Sequence, residues 1–390
     1  MSFDVVIVGG GLAGLSLACA LRDSRLKIAL VENHPPVAAS GWDARVYAIS
    51  PANAGFLQKI EIWKDLDAER MAPIYAMKIH GDGGALLDFS AYQSGVSELG
   101  WIIESSQMAC ALWARATTQS NLSLFCPAAP AAVEMGDETV SLALTDGQTL
   151  TSKLLIGADG RDSWVRQTLG LSATNTPYGD LGVVANFECQ HPHRGIARQW
   201  FRDDGVLAWL PLAGNDATPR FSMVWSTPEA HATELLALSE AELCQRVAAA
   251  GNNELGELRL ITPASAFPLR MVRVPRIVAP RLALVGDAAH GIHPLSGHGI
   301  NLGYRDAQSL AELLTNAPEW QDLGSERLLR RYQRERREEI LLMQYTTHTL
   351  RQLFHEKLPG LRFLRNAGMN VTNALPVVKN LLVRYALGAF

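Results

Sequence analysis

Glycines, one proline, one aspartate and three histidines crowd residues 284–303, LVGDAAHGIHPLSGHGINLG, directly after an apolar run. Asp287 stands where that run opens into a turn, a place from which a carboxylate can accept hydrogen bonds from a ribose or polyol hydroxyl. Gly297, Gly299 and Gly303 would let backbone N–H groups approach a flat ring. Glycine carries a backbone entropy penalty of up to about 1 kcal/mol within a helix, so such density implies close approach to a ligand. Nothing in the pattern demands a core role for Asp287, His290, His293 or His298.

Two more glycine turns repeat the logic. Gly9, Gly11 and Gly14 form GxGxxG, in which the first glycine makes a tight turn, the second admits a pyrophosphate and the third allows close helix–strand packing. Leu12 and Ala13 open the helix after it, and a helix N-terminus offers free N–H groups and roughly +0.5 of an elementary charge to an anion. Further on, Leu154, Leu155 and Ile156 lead into Gly157-Ala158-Asp159-Gly160, with Ser163 and Arg166 following on a short helix. Asp159 reads either as a ligand acceptor at a strand end or as a helix N-cap. Arg166 reads either as a contact of that site or as a surface ion pair of little worth.

The elements that must position these turns are a strand FDVVIV, a helix with Leu15, Ala18 and Leu21 on one face, and a second strand LKIALVE ending at Glu32. Glu32 lies 18 residues past Gly14, close to the spacing of a carboxylate on a ribose hydroxyl. The set points to dinucleotide binding, and by itself leaves nicotinamide and flavin both open.

The chain has 390 residues, enough for two to three domains, and its 48% hydrophobic and 19% charged residues are those of a globular protein. A net charge of −4 gives no whole-chain signal for nucleic acid. The five cysteines (Cys19, Cys110, Cys126, Cys189, Cys244) are scattered without any CxxC, which argues against a disulfide framework or a zinc site and fits a reducing cytosol. No run of 18 apolar residues occurs, and FDVVIV reads as a strand and not a secretion signal, so the expected location is cytoplasmic.

The three turns, in this order, resemble the single-component flavin aromatic hydroxylases of the para-hydroxybenzoate hydroxylase type. Within them the chain is most similar to the ubiquinone-biosynthesis hydroxylases. The match is carried by DARVYAIS (residues 43–50), IGADGRDSWVRQTLG (156–170), LVGDAAHGIHPLSGHGINLGYRDA (284–307) and ALPVVKNLLVRYALG (374–388). It implies FAD as cofactor, NAD(P)H as transient electron donor, dioxygen as co-substrate and a polyprenylated phenol as the molecule hydroxylated.

Residue by residue, the resemblance implies that Gly9, Gly11, Leu12, Ala13, Gly14 and Glu32 hold the adenosine half of FAD. It links Asp159 to FAD and the nicotinamide donor, Gly286 and Asp287 to the ribityl chain, and Pro294, Gly297, Gly299, Ile300 and Asn301 to the flavin ring. Arg45 and Gln107 match polar contacts to the flavin. One departure is His298, where the family commonly carries glutamine; it either tunes the flavin or points outward. No catalytic side chain and no metal are implied. No second GxGxxG serves the nicotinamide, as in that group of enzymes.

The implied fold is α/β, a Rossmann-like FAD-binding domain with an inserted antiparallel-sheet substrate domain and a helical C-terminal region. The expected boundaries are 1–75, 101–177 and 268–345 for the first, 76–100 and 178–267 for the second, and 346–390 for the last. Between 178 and 267 the aromatic, β-branched segments GVVANFEC, ARQWFR, GVLAWLPL and RFSMVWS read as an antiparallel sheet, with Trp200, Phe201, Trp209, Phe221 and Trp225 mostly core. The arginines and glutamates of 326–339 read as a solvated helix face with i,i+4 pairs. From 355 to 390 five basic residues stand against one acid. That stretch reads as a helix packed on the FAD domain or as a surface for anionic membrane or a ubiquinone-biosynthesis partner. Two other functions remain open at this point: an FAD-dependent reductase of a prenyl substrate, and a flavin-binding assembly subunit without turnover.

Overall fold

The computed structural model describes residues 1–214, 217–291, 299–355, 366–370 and 373. The strand Ser2–Val8 is apolar on both faces, the composition of a strand covered on both sides. It lies in the middle of the first sheet, with Val5, Val6 and Ile7 fully buried. The order runs Val278–Ala279, Leu282–Leu284, Thr149–Gly157, Ser2–Val8, Ile28–Val31, Leu122–Phe125, and from Leu282–Leu284 onward neighbours are parallel. Val8 stands level with Val31 on one side and Gly157 on the other, and Gly157 with Leu284. Four strand ends therefore open on one edge, and the three glycine turns meet there.

Helix Leu12–Ala20 packs between helices Ser105–Thr117 and Gly299–Thr315. Its small residues and leucines leave almost no polar surface: Leu15, Leu17 and Ala18 are fully buried.

The second sheet takes the order His290–Gly291, Ser265–Arg273, Thr174–Cys189, Arg220–Pro228, Gly205–Leu212, Ile196–Arg202, Ala76–His80, Leu86–Ser90. All pairings along it are antiparallel except that of Ile196–Arg202 with Ala76–His80. Its outer strands reach beyond residues 178 and 267 on both sides. A reading of strands alone missed helices Glu229–Ala237 and Glu240–Ala250, which cover one face and bury Trp225, Leu235, Leu243 and Val247. Trp200, Phe201, Trp209, Phe221 and Trp225 are all buried. A small third sheet, Val46–Ile49, Gly100–Glu104 and Ala72–Ile74, lies between the two large ones.

The long helix Glu326–His355 runs from the first sheet to the second: the Tyr332 hydroxyl donates to Leu284 O at 2.9 Å and Gln344 Nε2 to Val272 O at 3.0 Å. The described part of the C-terminal segment lies on the second sheet's hairpin and not on the first sheet, with Asn366 Nδ2 donating to Asp82 Oδ1 at 2.8 Å.

Candidate functional site

The first turn is dictated by backbone sterics. Gly9 has φ +108°, and a Cβ there would stand 2.4 Å from Ala158 O; one on Gly14 would stand 2.0 Å from Gly9 O. The first turn is thus wedged against the second. Gly11 differs: a Cβ there meets nothing within 4 Å, and this N-cap residue has no side-chain cap. The N–H groups at the start of helix Leu12–Ala20, including those of Leu12 and Ala13, have no intrahelical acceptor. Glu32 follows strand Ile28–Val31 and accepts from Gly10 N–H, Asn33 N–H (2.8 Å) and His34 N–H (3.2 Å). A carboxylate has about four acceptor positions, which leaves one for a ribose hydroxyl.

In the second turn the N-cap of helix Trp164–Thr168 is Ser163, whose side chain accepts from Arg166 N–H, and Asp159 supports the same helix start from outside it. Asp159 Oδ2 accepts from Val165 N–H at 3.0 Å in the first turn of that helix, while Oδ1 is buried without a partner. Arg166 is not a surface ion pair. It is 6% exposed, burial depresses its guanidinium, and it donates to Ala288 O and Arg161 O, both at 2.8 Å. This side chain ties the second turn to the third.

The third turn, Gly286–Ala288, touches the first helix: Gly286 has φ +61°, and a Cβ there would stand 2.9 Å from the Ala13 Cβ. Asp287 is nearly half exposed and lies 3.6 Å from Arg161 of the second turn. Near it, burial pushes the Tyr47 hydroxyl up, with the Arg45 charge opposing that and the Asp287 charge adding to it. Arg45 is exposed, and its backbone N–H donates to Asp43 Oδ1 at 2.8 Å. Asp43 also accepts from Ser106 N–H at 2.9 Å, holding the start of helix Ser105–Thr117 where Gln107 sits. Both Gln107 amide atoms are buried and unpartnered among the described residues.

Gly299 opens its helix with nothing within 4 Å of a Cβ, and Ile300 is half-buried. The Asn301 side chain is held by the strand and helix that follow Arg45. It donates to Ala48 O (2.7 Å) and accepts from Ser50 N–H (3.0 Å) and Asn53 Nδ2 (2.8 Å). Pro294 and Gly297, with His293 and His298, lie outside the described residues.

His290 turns out to be core, 1% exposed, and with Asp306 and Arg336 it forms a buried ionic cluster beneath the third turn. Sequence reasoning missed Asp306 and Arg336. The available signal was an aspartate in the stripe that Leu302 and Leu310 occupy, four residues on either side, on an amphipathic helix.

Open N–H groups at Gly11 and Gly299, a free Asp159 oxygen and an orphaned Gln107 amide fit a large ligand with a phosphate centre and a polar flat ring. A sequence pattern described as an FAD binding domain matches residues 2–343. A ubiquinone hydroxylase UbiL of Rhodospirillum rubrum is 35% identical over 99% of this chain and 89% of its own. The chain belongs to the ubiquinone-biosynthesis FAD hydroxylase family. A 3-demethoxyubiquinol 3-hydroxylase of Escherichia coli K12 is 34% identical, covering 99% of this chain and 98% of its own. The fold is shared with p-nitrophenol 4-monooxygenase PnpA of Pseudomonas putida DLL-E4, at TM-score 0.79 and 20% identity over 99% and 98% of the two chains. This hydroxylase is an FAD-dependent aromatic-ring monooxygenase. Among its described residues no helix is long and apolar enough to cross a membrane.

Proposed function

We propose that this hydroxylase acts on the ring of a polyprenylated phenol intermediate of ubiquinone biosynthesis. The observation that carries the substrate class is full-length similarity to relatives named for ubiquinone and demethoxyubiquinol chemistry, which spans the second sheet as well as the three turns. Bound FAD supplies the redox chemistry by which NAD(P)H and dioxygen yield a ring hydroxyl, NAD(P)+ and water.

The chain's part is to bind and orient. N–H groups of Gly11, Leu12, Ala13 and Gly14 receive the pyrophosphate at the turn made by Gly9, whose own N–H donates to Val31 O at 2.9 Å, and the remaining acceptor position of Glu32 takes a ribose hydroxyl. Asp287 receives ribityl hydroxyls beside Gly286, with Asp159 Oδ1 as a second acceptor. Gln107, Arg45 and the N–H groups of Gly299 and Ile300 meet the ring. The two sheets close around the reacting ring so that water is kept out, which limits loss of reducing power as hydrogen peroxide.

Peripheral contact with anionic membrane belongs to the same reading. Arg327, Arg331 and Arg334 are exposed on helix Glu326–His355 with no ion pair among the described residues, although i,i+4 pairing was expected there; Arg330 does pair with Glu326. A prenyl-bearing substrate would be met at such a surface.

The test is NAD(P)H oxidation by the FAD-loaded protein with a short-chain prenylphenol, in air and without oxygen. Oxygen-dependent, substrate-stimulated oxidation with a hydroxylated product is expected. Anaerobic reduction of the substrate would replace the reading with a prenyl reductase, and oxidation at background in both conditions with a non-catalytic flavin carrier.

A further inference from the structure

Asp306 is fully buried in helix Gly299–Thr315, and its carboxylate gathers three donors from three other places. Gly286 N–H donates at 2.9 Å, His290 Nε2–H at 2.6 Å and Arg336 Nε–H at 2.8 Å. Burial alone would raise this carboxyl, and His290 and Arg336 beside it overturn that, holding it below the usual range. Arg336 is itself held by Glu339. An ionised carboxylate has only acceptors, so His290 must carry its proton on Nε2.

His290 faces two ways. Its ring holds Asp306, which holds the backbone of Gly286, the residue before Asp287. Its backbone, with Gly291, pairs with Arg273 and Val272 at the edge of the second sheet. The buried link from the third turn to that sheet therefore runs through a ring that is 1% exposed, while Arg161, 3.6 Å from Asp287 and donating to Pro268 O at 3.4 Å, makes a second link nearer the surface. If the ring leaves, a buried charge loses a donor, which such a charge tolerates poorly. The turn and the edge strand are thereby constrained to move together.

We propose that His290 is a positioning residue that couples FAD occupancy of the third turn to the edge strand Ser265–Arg273 of the second sheet. The inference rests on FAD binding at the three turns and is independent of which ring is hydroxylated.

Hydrogen–deuterium exchange tests it without turnover. In the wild-type chain, saturating FAD should slow amide exchange in Ser265–Arg273 by about tenfold, within the usual range of coupling between sites. His290→Phe keeps the ring volume and deletes the donor; at FAD concentrations that saturate the variant, most of the slowing should be lost, leaving only what the Arg161 link carries. His290→Gln restores an N–H near the Nε2 position and should bring it back. Asp306→Asn, which keeps the size and removes the charge, should behave as His290→Phe does, and serves if the latter fails to fold. A purely structural role would lower the apoprotein Tm in these variants and leave the FAD-dependent slowing unchanged, which would overturn the proposal. So would a wild-type strand indifferent to FAD. A chain that binds no FAD would overturn the cofactor site itself, and this coupling with it.

Discussion

The two large sheets are built by opposite means. At the edge of the first, backbone meets backbone: a Cβ at Gly9 or Gly14 would lie 2.4 Å or 2.0 Å from a carbonyl oxygen. In the second, aromatic side chains fill the space, and a Cβ at Gly251 would collide not with backbone but with the Trp209 ring, at 2.1 Å. A junction made of backbone leaves N–H groups and acids over for a ligand. A core made of Trp209, Trp225, Phe187 and Phe221 is filled by rings; the Trp209 and Trp225 indole N–H groups are unpartnered among the described residues but sealed inside it, so truncation there reads first on stability.

The largest effects should come from breaking the backbone junction. Gly14→Ala has no room, because the obstructing Gly9 O is main chain, and a loss above about 4 kcal/mol is expected, so that little folded protein is recovered. Gly11→Ala in the same motif should leave the apoprotein Tm unchanged, since its Cβ meets nothing, yet weaken FAD by about tenfold or more. Fluorescence titration of apoprotein beside a thermal melt separates the two. Equal melts for both variants would mean that the turns are not wedged together as described.

Trp209→Ala probes the other region. Truncating a core tryptophan costs about 3–5 kcal/mol, which denaturant unfolding will show, while FAD affinity at a temperature where the variant stays folded should be unchanged. A fall in affinity in step with stability would erase the contrast between the two regions.

The same contrast explains what could be read from the sequence. Gly9, Gly14, Glu32, Asp159 and Asp287 were legible because each is a local demand: a turn, a close approach or a strand end, spelled out within a few residues. Helices Glu229–Ala237 and Glu240–Ala250 were missed amid aromatic β-branched segments, although Ser239 and Glu242 form a complete capping box that announces the second of them. Asp306, His290 and Arg336 stand up to 46 positions apart (336 − 290) and meet only in the folded chain. The clasp of Asn301 on Ser50 and Asn53 could not be read locally, because its partners are 250 positions away in the chain, within a residue or two. The parallel pairing of Ala76–His80 with Ile196–Arg202 is non-local in the same way.

Smaller effects sharpen the ligand side. Asp287→Ala removes an acceptor from an exposed turn, so folding should be unaffected and FAD weakened by about 1.5–3 kcal/mol, the range for hydrogen bonds to a charged group. Unchanged affinity would take Asp287 out of the site. Gln107→Leu should act with opposite signs on two readouts. It deletes a buried amide that has no partner, so the apoprotein should be as stable or more so, while FAD binds less tightly by about 1 kcal/mol. A destabilised apoprotein with normal FAD affinity would make Gln107 a structural residue.

The smallest effect uses one buried thiol in each region. Cys19 lies in helix Leu12–Ala20 beside the first turn, and Cys189 ends strand Thr174–Cys189 opposite Leu258. Burial pushes both thiols up to about 12. Since the folded values exceed the ordinary one, the stability these thiols contribute is present below about pH 9 and lost as pH rises toward 12. At neutral pH neither can react without local opening, because the thiolate is the nucleophile. With the half-buried Cys110, Cys126 and Cys244 replaced by serine, labelling rates therefore count openings of each region separately. FAD should slow labelling of Cys19, whose helix carries the phosphate-facing N–H groups, and leave Cys189 nearly untouched, since that strand end is remote from the His290 joint. Equal slowing at both thiols would mean that the sheets open as one unit, and that the difference in how they are built has no consequence for how they move.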